Sequence, residues 1–162
     1  MALKEFYRSV REEDYAFLAA HMRPTDVAEM KATQGEDVNL EQLLRRAVGL
    51  SDVADSGVAL DTGELVLMRG VVQHPEGGGI PWMLATPRAE EFTRDFLIEG
   101  RRWVEEMLRR YGHLVNYVDV RNTKSVRWLR KLGFYIHDPE PFGVQQLPFH
   151  KFTGTHIRPR LS

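Results

Sequence analysis

The stretch NYVDVRNTKSVRWLRKLGF, residues 116–134, decides the fold predicted for this chain. Its first residues alternate with the period of a strand, Asn122 follows, and a basic helical pattern runs to Gly133-Phe134. Asn is favoured just before the first turn of a helix, and Gly is favoured just after the last. The stretch therefore predicts a strand, a capped turn and a short helix in that order.

Hydrophobic periodicity divides the rest of the chain into further helices and strands. The pattern predicts a first strand in EFYRSV, short helices in EDYAFLAAHM, RPTDVAEMKATQG and NLEQLLRRAVGL, a hairpin of GVALD and ELVLMRGVVQH around Thr62-Gly63, a strand in IPWMLAT, a helix over about residues 87–111, and a last strand in QQLPFHKF. The long helix makes residues 80–86 and 115–120 parallel neighbours, because such crossovers return to the same sheet. We predict one α/β (α+β) domain over residues 1–162, with a mixed, mostly antiparallel sheet, helices on both faces and one parallel strand pair.

Composition excludes several classes of protein. The 162 residues include no cysteine, which removes disulfides and thiolate chemistry, and the net charge is -1. No stretch approaches the ~18 apolar residues of a membrane span, and the charged N-terminus is unlike a signal peptide, so we expect a cytoplasmic protein. No His, Asp or Glu set has metal-ligand spacing, and we expect no metal. Residues 121–131 are basic, but a pI of about 6.6 disfavours a dedicated nucleic-acid binder.

With this order of elements, the unit formed by Asn122, the following helix and Gly133-Phe134 resembles the GNAT superfamily of acyl-CoA-dependent N-acyltransferases. Arg8 or Arg11 before Glu13-Asp14 is similar to the first strand of that family. The resemblance implies a GNAT-like fold, an acyl-CoA such as acetyl-CoA between the splayed strands 80–86 and 115–120, and an amine as acceptor. The residues that it implies for the cofactor are the backbone of Leu84, Ala85 and Thr86, and the side chains of Arg88, Asn122 and Ser125.

A second resemblance concerns RPTDVAEMKA, residues 23–32, together with the C-terminal half of the chain. Both are similar to GNAT-like proteins that phages encode, including an internal virion protein of short-tailed phages. This resemblance implies an alternative function, a non-catalytic phage structural or interaction protein that keeps the fold. Its partners would then be phage or host proteins, in the host cytoplasm or the virion.

The chain departs from the GNAT pattern where phosphate would bind. GNAT enzymes cradle the pyrophosphate of CoA on backbone N–H groups of a glycine-rich turn at a helix N-terminus. Here no glycine lies between Ile80 and Ile98, Pro87 has no N–H, and Glu90 and Glu91 add negative charge. Acyl-CoA binding therefore depends on whether the backbone N–H groups of residues 85–91 point into an open groove.

The groups that move protons are also not apparent from the sequence. Leu129 stands where many GNAT enzymes have a Tyr that protonates the leaving thiolate. The strand IPWMLAT has no titratable group, and His74, His21 and Glu64 from nearby elements are alternatives for a general base. We therefore assign no catalytic residue from the sequence, and both functions stay open.

Overall fold

A computed structural model describes residues 6–156 of the chain, and its strands in that range form one seven-stranded sheet. The elements are β1 (Tyr7–Arg8), α1 (Glu12–His21), α2 (Pro24–Gln34), α3 (Leu40–Leu50), β2 (Ser51–Val58), β3 (Leu65–Gln73), β4 (Gly79–Ala85), a 3-10 helix (Pro87–Phe92), α4 (Thr93–Tyr111), β5 (His113–Asp119), α5 (Thr123–Lys131), β6 (Tyr135–Phe142) and β7 (Leu147–Thr155). The strand order is β1-β2-β3-β4-β5-β7-β6, and only the β4–β5 pair is parallel. The predicted fold class, with its single parallel pair, is confirmed.

Helices cover both faces of the sheet, as predicted. Leu18 of α1 and Leu44 of α3 pack with Met68 of β3 in a core on one face. Helices α4 and α5 pack on the other face, where Val104 and Val126 belong to a second core with strand residues. Each face is therefore apolar, and the sheet is the middle of three layers.

The first part of the sheet differs from the sequence prediction. Strand β1 is only two residues long, and Glu5 of the predicted strand lies outside the described residues. Strand β2 begins at Ser51, directly after α3, whereas the predicted hairpin began at Gly57. Its small and acidic residues give no strand pattern of their own. They become a strand because the apolar β3 pairs with them along most of its length.

Two differences lie in the second half of the chain. The sequence left open whether one or more strands follow α5, and it did not locate β6 because Pro139 and Pro141 interrupt its pattern. Prolines are tolerated there since β6 is the edge strand. The helix predicted from residue 87 begins as a 3-10 turn, and α4 proper starts only at Thr93.

The parallel strands β4 and β5 separate soon after they meet. Their only register pair is Gly79 with Leu114, near the N-terminal end of both strands. A Cβ at Gly79 would lie 3.0 Å from the Cδ2 of Leu114 on β5 and 2.6 Å from the Cγ1 of Val71 on β3, so the close packing at this point favours glycine. Beyond this point the carboxyl ends of β4 and β5 diverge and leave a gap in the sheet.

Candidate functional site

A cavity of about 650 Å³ lies at the gap between β4 and β5. Met30 of α2 and Leu43 of α3 line it on one face of the sheet, and Phe96 of α4 and Leu129 of α5 line it on the other. The cavity therefore reaches both faces through the sheet. Its volume lies within the range of small-molecule sites, about 300–1,000 Å³.

The edge of β4 that faces this gap presents the backbone groups of alternate residues. Pro81 accepts a hydrogen bond at its carbonyl from the Nδ2 of Asn116 on β5, at 2.7 Å. At the other end of the strand, the N–H of Ala85 donates to Asp26 rather than to a strand. Because strand hydrogen bonds alternate in direction, Met83 between them also turns its N–H and carbonyl toward the gap.

The open end of the gap is closed by residues that begin α2. The Oδ2 of Asp26 accepts the N–H of Ala85 at 3.0 Å, and the carbonyl of Ala85 accepts the N–H of Arg23 at 2.7 Å. Arg23 also pairs with Asp26 through Nε and Nη2, at 3.0 and 2.8 Å. Nδ2 of Asn122 reaches the Oδ1 of Asp26 at 3.3 Å. The side chains of Arg23 and Asp26 are each 2% exposed, so this ion pair is shielded from water.

The same arginine connects α2 to α5. Its Nη2 donates to the Oγ of Ser125 at 3.1 Å, and its guanidinium lies 5.0 Å from the ring centre of Trp128. Two buried atoms of this group, Nη1 of Arg23 and Oδ1 of Asn122, have no hydrogen-bond partner among the described residues. Buried polar atoms are rarely left unpaired, so both mark places where a polar ligand atom or water would be stabilised.

The structure brings some of the predicted cofactor residues together and separates others. Ala85, Asn122 and Ser125 meet at the open end of the gap through Asp26 and Arg23. Leu84 lines the same cavity while its side chain packs in the core with α1 and α3, whereas Thr86 and Arg88 make their contacts in the turn after β4. The cofactor role of all the predicted residues stays a prediction.

The turn after β4 holds its polar groups in contacts within the chain. The N–H and Oγ1 of Thr86 both donate to the carbonyl of Val66, at 2.8 and 3.1 Å. Arg88 reaches back to Asp61, and its Nε lies 3.4 Å from Glu91. These cations and donors are therefore already partnered where phosphate binding was predicted.

Lys124 at the start of α5 is partnered in the same way. Its Nζ lies 2.7 Å from a carboxylate oxygen of Glu90, on the 3-10 helix across the gap. Both side chains are at least one-third exposed. The ion pair is therefore weak, and a more highly charged anion, such as a phosphate, could take the place of Glu90 beside Lys124.

Sequence reasoning missed the acidic side of the cavity. Asp26 and Glu29 are one helical turn apart on α2, a spacing that places both on one side of the helix. That spacing was the available signal, but the burial of Arg23 and Asp26 depends on contacts with residues about 100 positions away. Glu29 lines the cavity, and burial raises its pKa to about 8. Of the bases considered from sequence, His21, His74 and Glu64 do not line the described cavity walls.

Two classes of site are not found in residues 6–156. No group of three or more His, Asp or Glu in that range could hold a metal ion. None of the helices there combines the length and apolarity needed to cross a membrane.

No family model and no curated protein matches the chain. Solved structures share its fold over nearly the whole chain, with low sequence identity. A ribosomal-protein-alanine N-acetyltransferase from Brucella melitensis aligns with a TM-score of 0.65 and 21% identity, over 93% of this chain and 99% of that one. Spermidine N-acetyltransferase from Vibrio cholerae, solved with CoA and spermine, aligns at 0.65 and 14%, over 92% and 94%. A GNAT superfamily phosphinothricin acetyltransferase from Sinorhizobium meliloti, solved with acetyl-CoA, aligns at 0.63 and 10%, over 92% and 86%. The chain therefore has the fold of the GNAT acetyltransferases.

Proposed function

We propose that this protein is an acyl-CoA-dependent N-acyltransferase that binds the acyl end of its donor in the gap between β4 and β5. The observation that carries the proposal is the cavity that passes through the sheet at this gap. A cavity lined from both faces of the sheet would let a thioester and an amine approach each other from opposite sides. Structures with the same fold have been solved with CoA or acetyl-CoA, which supports the choice of donor.

The residues of the gap fit the acyl and pantetheine part of the donor. Met83 faces the gap with its backbone, and Asn122 and Ser125 stand opposite at the start of α5. Acyl-CoA supplies the activated carbonyl carbon that an amine attacks. The chain would contribute positioning of the two reactants and backbone polarisation of the carbonyl oxygen.

The phosphate end of the donor fits less well. The N–H of Thr86 already donates to the carbonyl of Val66, and Arg88 and Lys124 are paired with carboxylates. We therefore propose that the phosphates bind near Arg88 and Lys124 only by displacing these exposed partners, and that the turn is a degenerate form of a pyrophosphate loop. Affinity for acyl-CoA should accordingly be modest and sensitive to salt.

A thermal-unfolding scan with acetyl-CoA tests the proposal. At about 100 times the dissociation constant, acetyl-CoA should stabilise the protein by about 2.7 kcal/mol, a melting shift of roughly 5–10 °C for this chain length. CoA should give a shift of similar size, since it shares the pantetheine and phosphates. An unchanged melting temperature at millimolar acetyl-CoA would contradict the proposal.

A second candidate is a non-catalytic phage structural or interaction protein that keeps the fold. The observation in its favour is that Asp26 and Arg23 already satisfy the N–H and carbonyl of Ala85, so the open end of the gap is stable without a ligand. A phage or host protein would then be the partner. Failure of acetyl-CoA and CoA to stabilise the protein is the result that selects this candidate.

A further inference from the structure

Glu29 stands on the wall of the cavity with one oxygen held and the other free. Its Oε1 accepts the backbone N–H of Asp119, at the end of β5, at 2.7 Å. Its Oε2 has no hydrogen-bond partner in residues 6–156. We infer that Glu29 is the general base that takes the proton from the acceptor nitrogen, and that the acceptor is a primary amine carried on an apolar group. This inference rests on the proposed acyl transfer.

The position of Glu29 is fixed because α2 is anchored at both ends. Near its start, Asp26 is bound to the N–H of Ala85 on β4. At its end, the carbonyls of Ala32 and Thr33 accept N–H groups from the β6–β7 turn, those of Gln145 and Val144. A base must lie within reach of the proton in a defined geometry, and this helix cannot shift without breaking both sets of contacts.

The surroundings of Glu29 favour proton uptake near neutral pH. Burial is the main cause that raises its pKa to about 8, and the nearby carboxylates of Asp26 and Asp119 act in the same direction. The N–H of Asp119 and the guanidinium of Arg23 act in the opposite direction. Arg121 faces the same group from the end of β5, but it is paired with Asp119. With this pKa the carboxylate becomes free to accept a proton as the pH rises through about 8, so the rate of a reaction that uses it as the base should rise there.

The proposed step balances as follows in atoms and charge. The neutral amine attacks the thioester carbonyl, a C–N bond forms, and the nitrogen loses one proton to the Oε2 of Glu29. The C–S bond then breaks, and the leaving thiolate takes one proton from solvent. Glu29 returns its proton to solvent, so the net products are an amide and a free thiol.

The walls around Glu29 on the α2–α3 face indicate the class of acceptor. Met30, Leu43, Ala47 and Trp82 give this half of the cavity apolar walls, and uncharged polar side chains also line it, those of Thr33, Gln34, Asn39 and Gln42. Arg46 lies at its border and is exposed, so it would repel a second ammonium group on the same acceptor. A monoamine with an apolar body therefore fits better than a polyamine.

The test compares Glu29→Gln with Glu36→Gln, a matched change at an exposed carboxylate two residues beyond α2. Gln at position 29 keeps an oxygen for the N–H of Asp119 but cannot take a proton. Acetylation of hexylamine by acetyl-CoA is followed by mass spectrometry from about pH 6 to about pH 10, with spermidine as the competing acceptor. Carboxyl NMR of ¹³C-labelled glutamate, without any donor, measures the titration of Glu29 directly.

We expect Glu29→Gln to lower kcat by about 100-fold, within the range for loss of a general base, with the KM for acetyl-CoA changed less than about 2-fold. The rise of the wild-type rate near pH 8 should disappear in this variant, and a carboxyl signal titrating near pH 8 should be lost with it. Glu36→Gln should behave as wild type, and hexylamine should be preferred to spermidine.

Each other outcome overturns part of the account in a distinguishable way. If Glu29→Gln keeps its rate within about 3-fold, or loses rate but keeps the wild-type pH profile, Glu29 is not the base while acyl transfer stands. If acetyl-CoA stabilises the wild type but hexylamine is not acetylated, the assigned acceptor class and this inference both fall. If acetyl-CoA binds neither protein, the proposed function falls and takes the inference with it.

Discussion

Asp26 is the residue on which most contacts at the gap converge. It receives hydrogen bonds from Arg23, from the N–H of Ala85 and from Asn122, and it is buried. A buried ion pair adds little net stability compared with apolar residues, but removal of one partner leaves the other charge buried and unpaired. The carboxylate of Asp26 therefore offsets the cost of burying the charge of Arg23.

Asp26→Asn should lower the free energy of unfolding by about 3–5 kcal/mol, because it leaves the charge of Arg23 without its counter-charge. Urea denaturation followed by circular dichroism measures the change. Asp61→Asn is the control, since Asp61 pairs with Arg88 at 3.3 Å while 63% exposed and should cost less than about 1 kcal/mol. Equal effects of the two substitutions would contradict the importance given to burial.

Glu29 should make the stability of the protein depend on pH in a direction opposite to that of a salt-bridged carboxylate. Its pKa is raised from 4.5 to about 8 by folding, so between these values the folded protein binds more protons than the unfolded chain. The free energy of unfolding contributed by this group is therefore present in full below about pH 4.5 and is lost as pH rises to about 8.

Glu29→Gln removes this dependence. The variant should be more stable than wild type at about pH 8.5, by on the order of 2–4 kcal/mol, and similar to it at about pH 4. Denaturation curves at several pH values measure the difference. Parallel pH dependence of the wild type and the variant would mean that the pKa of Glu29 is not raised.

Among the elements, the junction between β4 and α4 is where the phosphates of the proposed donor would lie. The 3-10 helix Pro87–Phe92 occupies this junction, and its Glu90 holds Lys124 of α5 at 2.7 Å. An anion that approaches Lys124 must compete with this carboxylate and is also repelled by it. In the proposed function, this 3-10 helix would therefore lower the affinity for acyl-CoA even where the cavity accepts the acyl end.

Glu90→Gln should therefore strengthen acetyl-CoA binding by about 2- to 5-fold at low salt, an effect of roughly 0.4–1 kcal/mol. The substitution removes the repulsion and frees Lys124. Calorimetric titration at two salt concentrations measures it, and the gain should shrink at high salt. Glu76→Gln, in the exposed β3–β4 turn, is the control and should leave affinity unchanged. If Glu90→Gln does not bind acetyl-CoA more tightly than wild type, the phosphates do not bind beside Lys124.

The elements also differ in how far their sequences predict them. Asn122 precedes α5 as predicted, but its side chain makes no capping hydrogen bond. Helices α4 and α5 follow from their periodicity and from Gly112 and Gly133 after their last turns, because a helix encloses its own hydrogen bonds and carries an apolar face, and β5 follows from its own alternation. Strands β2 and β6 do not, because their residues become strands only by pairing with the apolar β3 and with β7. The sequence of a segment predicts its structure least well where hydrogen bonds to a partner strand determine that structure.

The candidate site shows the same division. Asn122 and Ser125 could be predicted from the sequence as residues near the gap because they belong to the recognisable strand–Asn–helix unit, and their cofactor role stays a prediction. Arg23, Asp26 and Glu29 were not, because their importance arises from contacts with β4 and β5 that are distant in sequence. Their charge gave no sign of burial, since charged residues on a helix usually face solvent.

For the whole molecule, the layered fold places two sets of helices around one gap in the sheet. Helices α2 and α3 form one wall of the cavity, and α4 and α5 form the other. A donor held from the α4–α5 side and an acceptor held from the α2–α3 side would meet in the plane of the sheet. The proposed reaction would therefore take place in the gap itself rather than on either face of the sheet.

Titration of ¹⁵N-labelled protein with acetyl-CoA, followed through the backbone amide signals, tests this claim most directly. We predict that the largest shifts occur at Met83 and Ala85 on one side of the gap and at Asn122 and Ser125 on the other. Shifts confined to the exposed arginines of α4, or none at millimolar acetyl-CoA, would contradict donor binding in the gap and leave the fold without the proposed chemistry.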